Sequence, residues 1–154
     1  GVGVSRAPQA KAANLYWDSD ATSGGNNIST GAGLGGAGTW DTSSAKWFDG
    51  TNDIAWSNSA LDVAYFTGTA GTVALGGPIT IGGLNFGVGG YTLSGSTLTL
   101  SPPTGSNSPV ISVTNNGSWT NRATISSTLA GTSGFTKTGN GTLVLTADNS
   151  AGLL

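Results

Sequence analysis

Thr72-Val73-Ala74-Leu75-Gly76-Gly77-Pro78-Ile79-Thr80-Ile81-Gly82-Gly83-Leu84-Asn85-Phe86 is the stretch that decides the fold. Three short runs carry an aliphatic or aromatic residue at alternate positions, and Gly-Gly-Pro and Gly-Gly separate them. A period of two aims one set of side chains at an interior and leaves Thr, Ala and Asn on the other face, as a half-buried strand requires. Glycine accepts positive φ and proline presets a bend, so the stretch reads as strand, bend, strand, bend, strand.

The same pattern continues outward. Tyr91-Thr92-Leu93, Thr97-Leu98-Thr99-Leu100, Val110-Ile111-Ser112-Val113, Ala123-Thr124-Ile125 and Thr142-Leu143-Val144-Leu145 all alternate, and no useful stretch shows a helical i, i+3, i+4 stripe. The fold class is therefore all-β. Gly-Gly and Asn-Gly can also close hairpins, which leaves an antiparallel β-sandwich or jelly roll as the alternative. Runs this short, joined by bends of two or three residues, suit a solenoid of parallel strands better. At roughly 20 residues and ~4.8 Å per round, residues 64–146 hold about four rounds.

Composition narrows the function. Charged residues are 8% of the 154, the seven acids are all Asp, and five Lys/Arg leave a net charge of −2. That is too little positive charge, and too scattered, for nucleic acid. Cys and His are absent, which removes disulfides, thiolate nucleophiles, imidazole bases and the usual transition-metal ligands. No apolar run approaches the ~20 residues of a membrane helix. Three regions are expected: a leader or donated strand over residues 1–13, with Ala10-Lys11-Ala12 resembling a signal-peptidase site; an aromatic and Asp-rich capping region over 14–66; and a Gly/Thr-rich strand region over 67–154.

Phe135-Thr136-Lys137-Thr138-Gly139-Asn140-Gly141-Thr142-Leu143-Val144-Leu145-Thr146-Ala147-Asp148-Asn149-Ser150 resembles the autotransporter-associated β-strand repeat, also called the passenger-associated transport repeat. Upstream, Tyr16-Trp17-Asp18, Gly38-Thr39-Trp40-Asp41, Lys46-Trp47, Ala55-Trp56, residues 64–73 and Ile81-Gly82-Gly83-Leu84-Asn85-Phe86 are similar to the segment that commonly precedes such repeats. The resemblance implies a right-handed parallel β-helix with an aromatic-rich N-terminal cap. It also implies export to the surface of a Gram-negative-type bacterium and no catalytic residues.

Each candidate site has a plainer counterpart. Asp18-Ser19-Asp20-Ala21-Thr22 places oxygens at alternate positions, and Asp49-Gly50-Thr51-Asn52-Asp53 adds a second group, so Asp18, Asp20, Asp49 and Asp53 are calcium candidates. An EF-type loop wants Gly sixth and a bidentate acid twelfth, where Ser23 and Ser29 stand, so solvated Asx-turns are the plainer expectation. Trp17, Trp40, Trp47 and Trp56, with Tyr16, Phe48, Tyr65 and Phe66, could stack on sugar; covering the apolar end of a solenoid is the plainer use. No pair of acids is selected for hydrolysis, and no catalytic or cofactor residue is assigned.

The expected function is a non-catalytic extracellular structural protein that self-assembles head to tail into a surface fibre or sheath. Val2, Val4 and Leu15 are the candidates for a donated strand, with Leu153 and Leu154 at the opposite end. A carbohydrate- or host-binding adhesin passenger fragment is the alternative, with polysaccharide or a host surface as partner.

Overall fold

The computed structural model describes residues 12–114 and 120–153. Those residues form fifteen short strands and no helix. In chain order they are β1 (Asn14–Trp17), β2 (Gly38–Trp40), β3 (Trp47–Phe48), β4 (Asp53–Ile54), β5 (Val63–Phe66), β6 (Thr72–Leu75), β7 (Ile79–Ile81) and β8 (Gly83–Phe86), followed by β9 (Thr92–Gly95), β10 (Leu98–Leu100), β11 (Val110–Val113), β12 (Arg122–Ile125), β13 (Leu129–Ala130), β14 (Thr136–Thr138) and β15 (Thr142–Leu145).

From β5 onward, consecutive strands never pair with each other. The first sheet runs β14-β11-β8-β5-β1-β3-β4, the second β15-β12-β9-β6-β2 and the third β13-β10-β7. Every strand pairing in them is parallel except β1 with β3 and β3 with β4. The chain visits the three sheets in turn and returns one strand further along, an order that fits a β-helix-like solenoid. Residue 64 lies opposite 84, 84 opposite 111, and 111 opposite 137. The first return matches the expected round, while the second is longer because residues 101–109 form a loop between β10 and β11.

The alternation read from the sequence becomes layers of like residues. Ala64, Leu84 and Ile111 stack in one column, Phe66, Phe86 and Val113 in the next, and Ile79, Leu98 and Leu129 in the third sheet, all at most 1% exposed. Removing each such side chain from water contributes about 1.5–3 kcal/mol, so the register is held by repeated burial as well as by the backbone ladder. Phe66 and Phe86 stack with centroids 5.2 Å apart and planes 17° apart. Outward positions carry Thr72, Thr92 and Thr124 in one row, where cross-strand hydroxyl and methyl contacts add to the pairing.

Two glycines show why the bends are Gly-rich. A Cβ on Gly82 would sit 2.0 Å from the Leu61 carbonyl oxygen, so any side chain there would push neighbouring strands apart. Gly95 has φ +88°, and a Cβ there would meet the Leu75 carbonyl oxygen at 2.6 Å.

One cluster of buried side chains runs from Leu15 to Leu129. At its N-terminal end β3 and β4 fold antiparallel against β1, and Trp17, Trp40, Trp47 and Trp56 converge there with Phe66.

Candidate functional site

Aromatic rings sit on both sides of the first sheet. Alternation turns Leu15 and Trp17 inward and Tyr16 outward on β1, and Ala64 and Phe66 inward and Tyr65 outward on β5. Trp17, Trp40, Trp47 and Trp56 are at most 2% exposed, so their faces meet one another rather than a ligand. The Trp17 Nε1–H donates to the Gly36 carbonyl at 2.8 Å and the Trp56 Nε1–H to the Thr80 carbonyl at 3.0 Å, which ties the cap to the strands below. Tyr16 and Tyr65 are partly exposed on the outer face of the first sheet, with ring centroids 4.9 Å apart.

Beside that pair runs a groove of about 220 Å³ on the outer face of the first sheet. Val63, Gly83 and Val110 are opposite one another along its floor, as are Tyr65, Asn85 and Ser112. Pro103, Ser106 and Ser108 of the loop over residues 101–109 form its wall. Gly83 puts no side chain on the floor, and the lining combines the Tyr65 ring, the aliphatic Val63, Leu84 and Val110, the amides of Asn14 and Asn85, and serine hydroxyls. Such a surface can hold a polar ligand by hydrogen bonds with apolar contact beneath. It contains no acid, base or nucleophile suited to catalysis.

The acids divide into two kinds. The Asp41 Oδ1 accepts from the Ser43 and Ser44 amides at 3.0 and 2.7 Å, and the Asp49 Oδ1 from the Thr51 and Asn52 amides at 2.8 Å each. Those backbone donors hold both carboxyls below the usual range. These are the Asx-turns expected as the plain reading.

Asp18, Asp20 and Asp53 are different. Asp18 is 0% exposed; its Oδ2 accepts from the Asn26 Nδ2 at 2.6 Å, and its Oδ1 is buried with no donor. Burial pushes its carboxyl up, and the carboxyl of Asp20 beside it adds to that. Asp53, on β4, is pushed up to about 6, first by burial and then by the charge and carboxyl contact of Asp18, with Asp20 and Asp49 adding further negative charge. Its Oδ1 too is buried without a donor. Asp18, Asp20 and Asp53 thus lie within electrostatic reach of one another, and Asp49 remains in its own turn. Among the described residues no three acidic groups are placed so that they could hold a metal ion. Asn26, which completes this polar cluster, carried no distinguishing signal in the sequence.

Of the self-assembly candidates, Val2, Val4 and Leu154 lie outside the described residues. Leu15 is 2% exposed in β1, paired to β5 on one side and bordered by β3 on the other. Leu153 bridges to Gly131 and packs partly buried against the core.

The chain stacks parallel strands and carries a groove on the outer face of its first sheet. It is 44% identical over 153 residues, 96% of its length, to a segment of the adhesin BmaC autotransporter of Brucella suis biovar 1 (strain 1330). The chain spans only about 4% of that protein's length. The match supports an autotransporter-related protein without singling out a particular repeat family. No family model matches the chain, and no solved structure matches it significantly.

Proposed function

We propose that this chain is a segment of the exported passenger of a Gram-negative surface adhesin, built as a right-handed parallel β-helix with a tryptophan cap. Its role is non-catalytic: it displays the outer faces of its sheets to a host or polysaccharide surface. The observation that carries this reading is the 44% identity across almost the whole chain to an autotransporter adhesin. Long parallel stacks suit the role because each round contacts only its neighbours, so length is added without a new core design. The groove walled by residues 101–109, beside Tyr16 and Tyr65, is the proposed contact surface.

This reading takes precedence over the self-assembling fibre, because the related protein is named for adhesion and nothing in its name speaks of filament growth. The experiment is binding of the fluorescently labelled chain to cultured epithelial cells and to a glycan array, comparing wild type with Tyr65→Ala and Asn85→Ala. Saturable binding weakened several-fold by both substitutions, with unchanged circular dichroism, is the expected result. Absence of binding, or binding that ignores both substitutions, overturns the assignment of this groove. Light scattering and negative-stain microscopy of the same samples, with and without residues 1–13, test the fibre: filaments formed only with residues 1–13 would restore it as the main reading.

A further inference from the structure

None of the residues lining the groove on the outer face of the first sheet is charged. Tyr65, Asn85 and Ser112 lie opposite one another on β5, β8 and β11, so a phenol, an amide and a hydroxyl form a row at the roughly 4.8 Å spacing of neighbouring strands. Among the described residues, none of these three side chains takes part in a hydrogen bond. Val63 and Val110 form a second row with Gly83 between them, and Val110 is 39% exposed. Behind Tyr65 the Tyr16 ring packs at 4.9 Å, tilted by 39°.

Three classes of ligand each meet an obstacle there. A charged ligand would give up water and find no ion of opposite sign in the lining to replace it. A purely apolar one would cover the Asn85 amide and the Ser112 hydroxyl and leave both without partners. An extended peptide has no free strand edge to join, because β5, β8 and β11 are each paired on both sides. A sugar ring without acid groups meets none of these, since it carries C–H bonds on its face and hydroxyls around its rim.

We propose that the groove binds one neutral hexose ring of a glycan chain, its C–H face against the Tyr65 ring and its hydroxyls toward Asn85 and Ser112, with the valines beside it. This assignment rests on the groove being the contact surface of the adhesin. The volume of about 220 Å³, short of the roughly 300 Å³ at which sites for drug-sized ligands begin, suits a single ring of the chain. Firm attachment then comes from several such contacts made at once along a glycan-coated surface.

The test measures binding of the intact chain to immobilised dextran, galactomannan and laminarin, which present neutral glucose, mannose and galactose, and to the charged dextran sulfate and alginate. Binding to at least one neutral polysaccharide is expected, and it should persist from low to high salt because no charge pair is involved. Tyr65→Ala should weaken it about three- to tenfold and Asn85→Ala about two- to tenfold. Tyr65→Phe, which keeps the ring, should lose less, and Arg122→Ala, on the second sheet, should change nothing. Circular dichroism checks each variant, and Asn85→Ala carries the test if loss of the Tyr65 ring disturbs β5. Binding to the charged polysaccharides alone, no binding to any neutral one, or neutral binding that ignores Tyr65 and Asn85 overturns the neutral-sugar assignment. Cell binding that Tyr65→Ala and Asn85→Ala weaken but no neutral polysaccharide competes away also overturns it, while leaving the groove as the contact surface. Cell binding indifferent to both substitutions overturns the two readings together.

Discussion

Replacing Trp47 by alanine removes the centre of the N-terminal cluster. Trp47 is 0% exposed and meets Trp17 at 5.3 Å, Trp40 at 4.7 Å, Trp56 at 4.7 Å and Phe66 at 5.6 Å between ring centroids. A buried Trp to Ala change costs about 3–5 kcal/mol from lost transfer energy and the cavity left behind. Four ring partners place Trp47 at the upper end, since each aromatic pair adds about 0.5–1.5 kcal/mol beyond area. Its Nε1–H has no acceptor, so no hydrogen bond is lost. Trp47→Phe, which retains a ring, should therefore cost only about 1–2 kcal/mol.

Urea unfolding followed by fluorescence and far-ultraviolet circular dichroism gives both values. Hydrogen exchange adds the location. β1, β3 and β5, which border the cluster, should lose protection, while β12 and β15 keep theirs, because contacts pass only between neighbouring rounds. A loss below about 1 kcal/mol for Trp47→Ala, or loosening spread evenly to β15, would refute the reasoning that this ring packs the end of the stack.

Two other perturbations follow from named contacts. Asp53 holds its proton up to about pH 6 in the folded chain, against 3.8 for an ordinary aspartate. Its folded form binds the proton more tightly, so the stabilisation is complete below about pH 4 and is lost as pH rises through 6. The full shift corresponds to about 3 kcal/mol, and solvent screening of this partly exposed group reduces it to about 1–2 kcal/mol. Melting temperatures between pH 4 and 7 should therefore fall in wild type and fall less steeply in Asp53→Asn, where the raised Asp18 carboxyl remains; an unchanged slope in the variant would remove Asp53 as a source. Asp41 and Asp49, whose carboxyls are held low, act in the opposite sense and lose their contribution as pH drops below the ordinary value. Gly82→Ala places a Cβ 2.0 Å from the Leu61 oxygen and should cost about 2 kcal/mol or more, while Gly77→Ala, with open space around it, should change stability by less than about 0.5 kcal/mol. Equal effects at the two positions in denaturant titrations would refute the close approach at Gly82.

Much of the fold was legible because strand alternation is a local property. Leu84 and Phe86 flank Asn85 in the sequence, and in the structure they are buried while Asn85 is half-exposed. The same alternation turns Tyr16 and Tyr65 outward between buried neighbours in the structure, a separation from the tryptophans that composition alone does not reveal. The absence of His and Cys limited the chemistry before any coordinates were needed. Resemblance to surface repeats then pointed towards export, in keeping with the autotransporter relative.

Pairing partners were not legible, because a Gly-Gly bend is compatible with a hairpin or with a turn into another sheet. Gly76-Gly77-Pro78 leads from β6 into β7 of a different sheet, where Ile79 finds Leu98 and, beyond it, Leu129. That choice rests on burying those distant side chains in one column, a gain that exists only once several rounds are stacked. Asp18, Asp53 and Asn26 came together for the same reason: antiparallel closure of β3 and β4 over β1 carries Asp53 to Asp18. The sequence by itself determined which faces are apolar and which residues can bend, both set by local covalent geometry. The tertiary structure decided which strands meet and which carboxylates lose their water, since both depend on contacts between parts of the chain far apart in sequence.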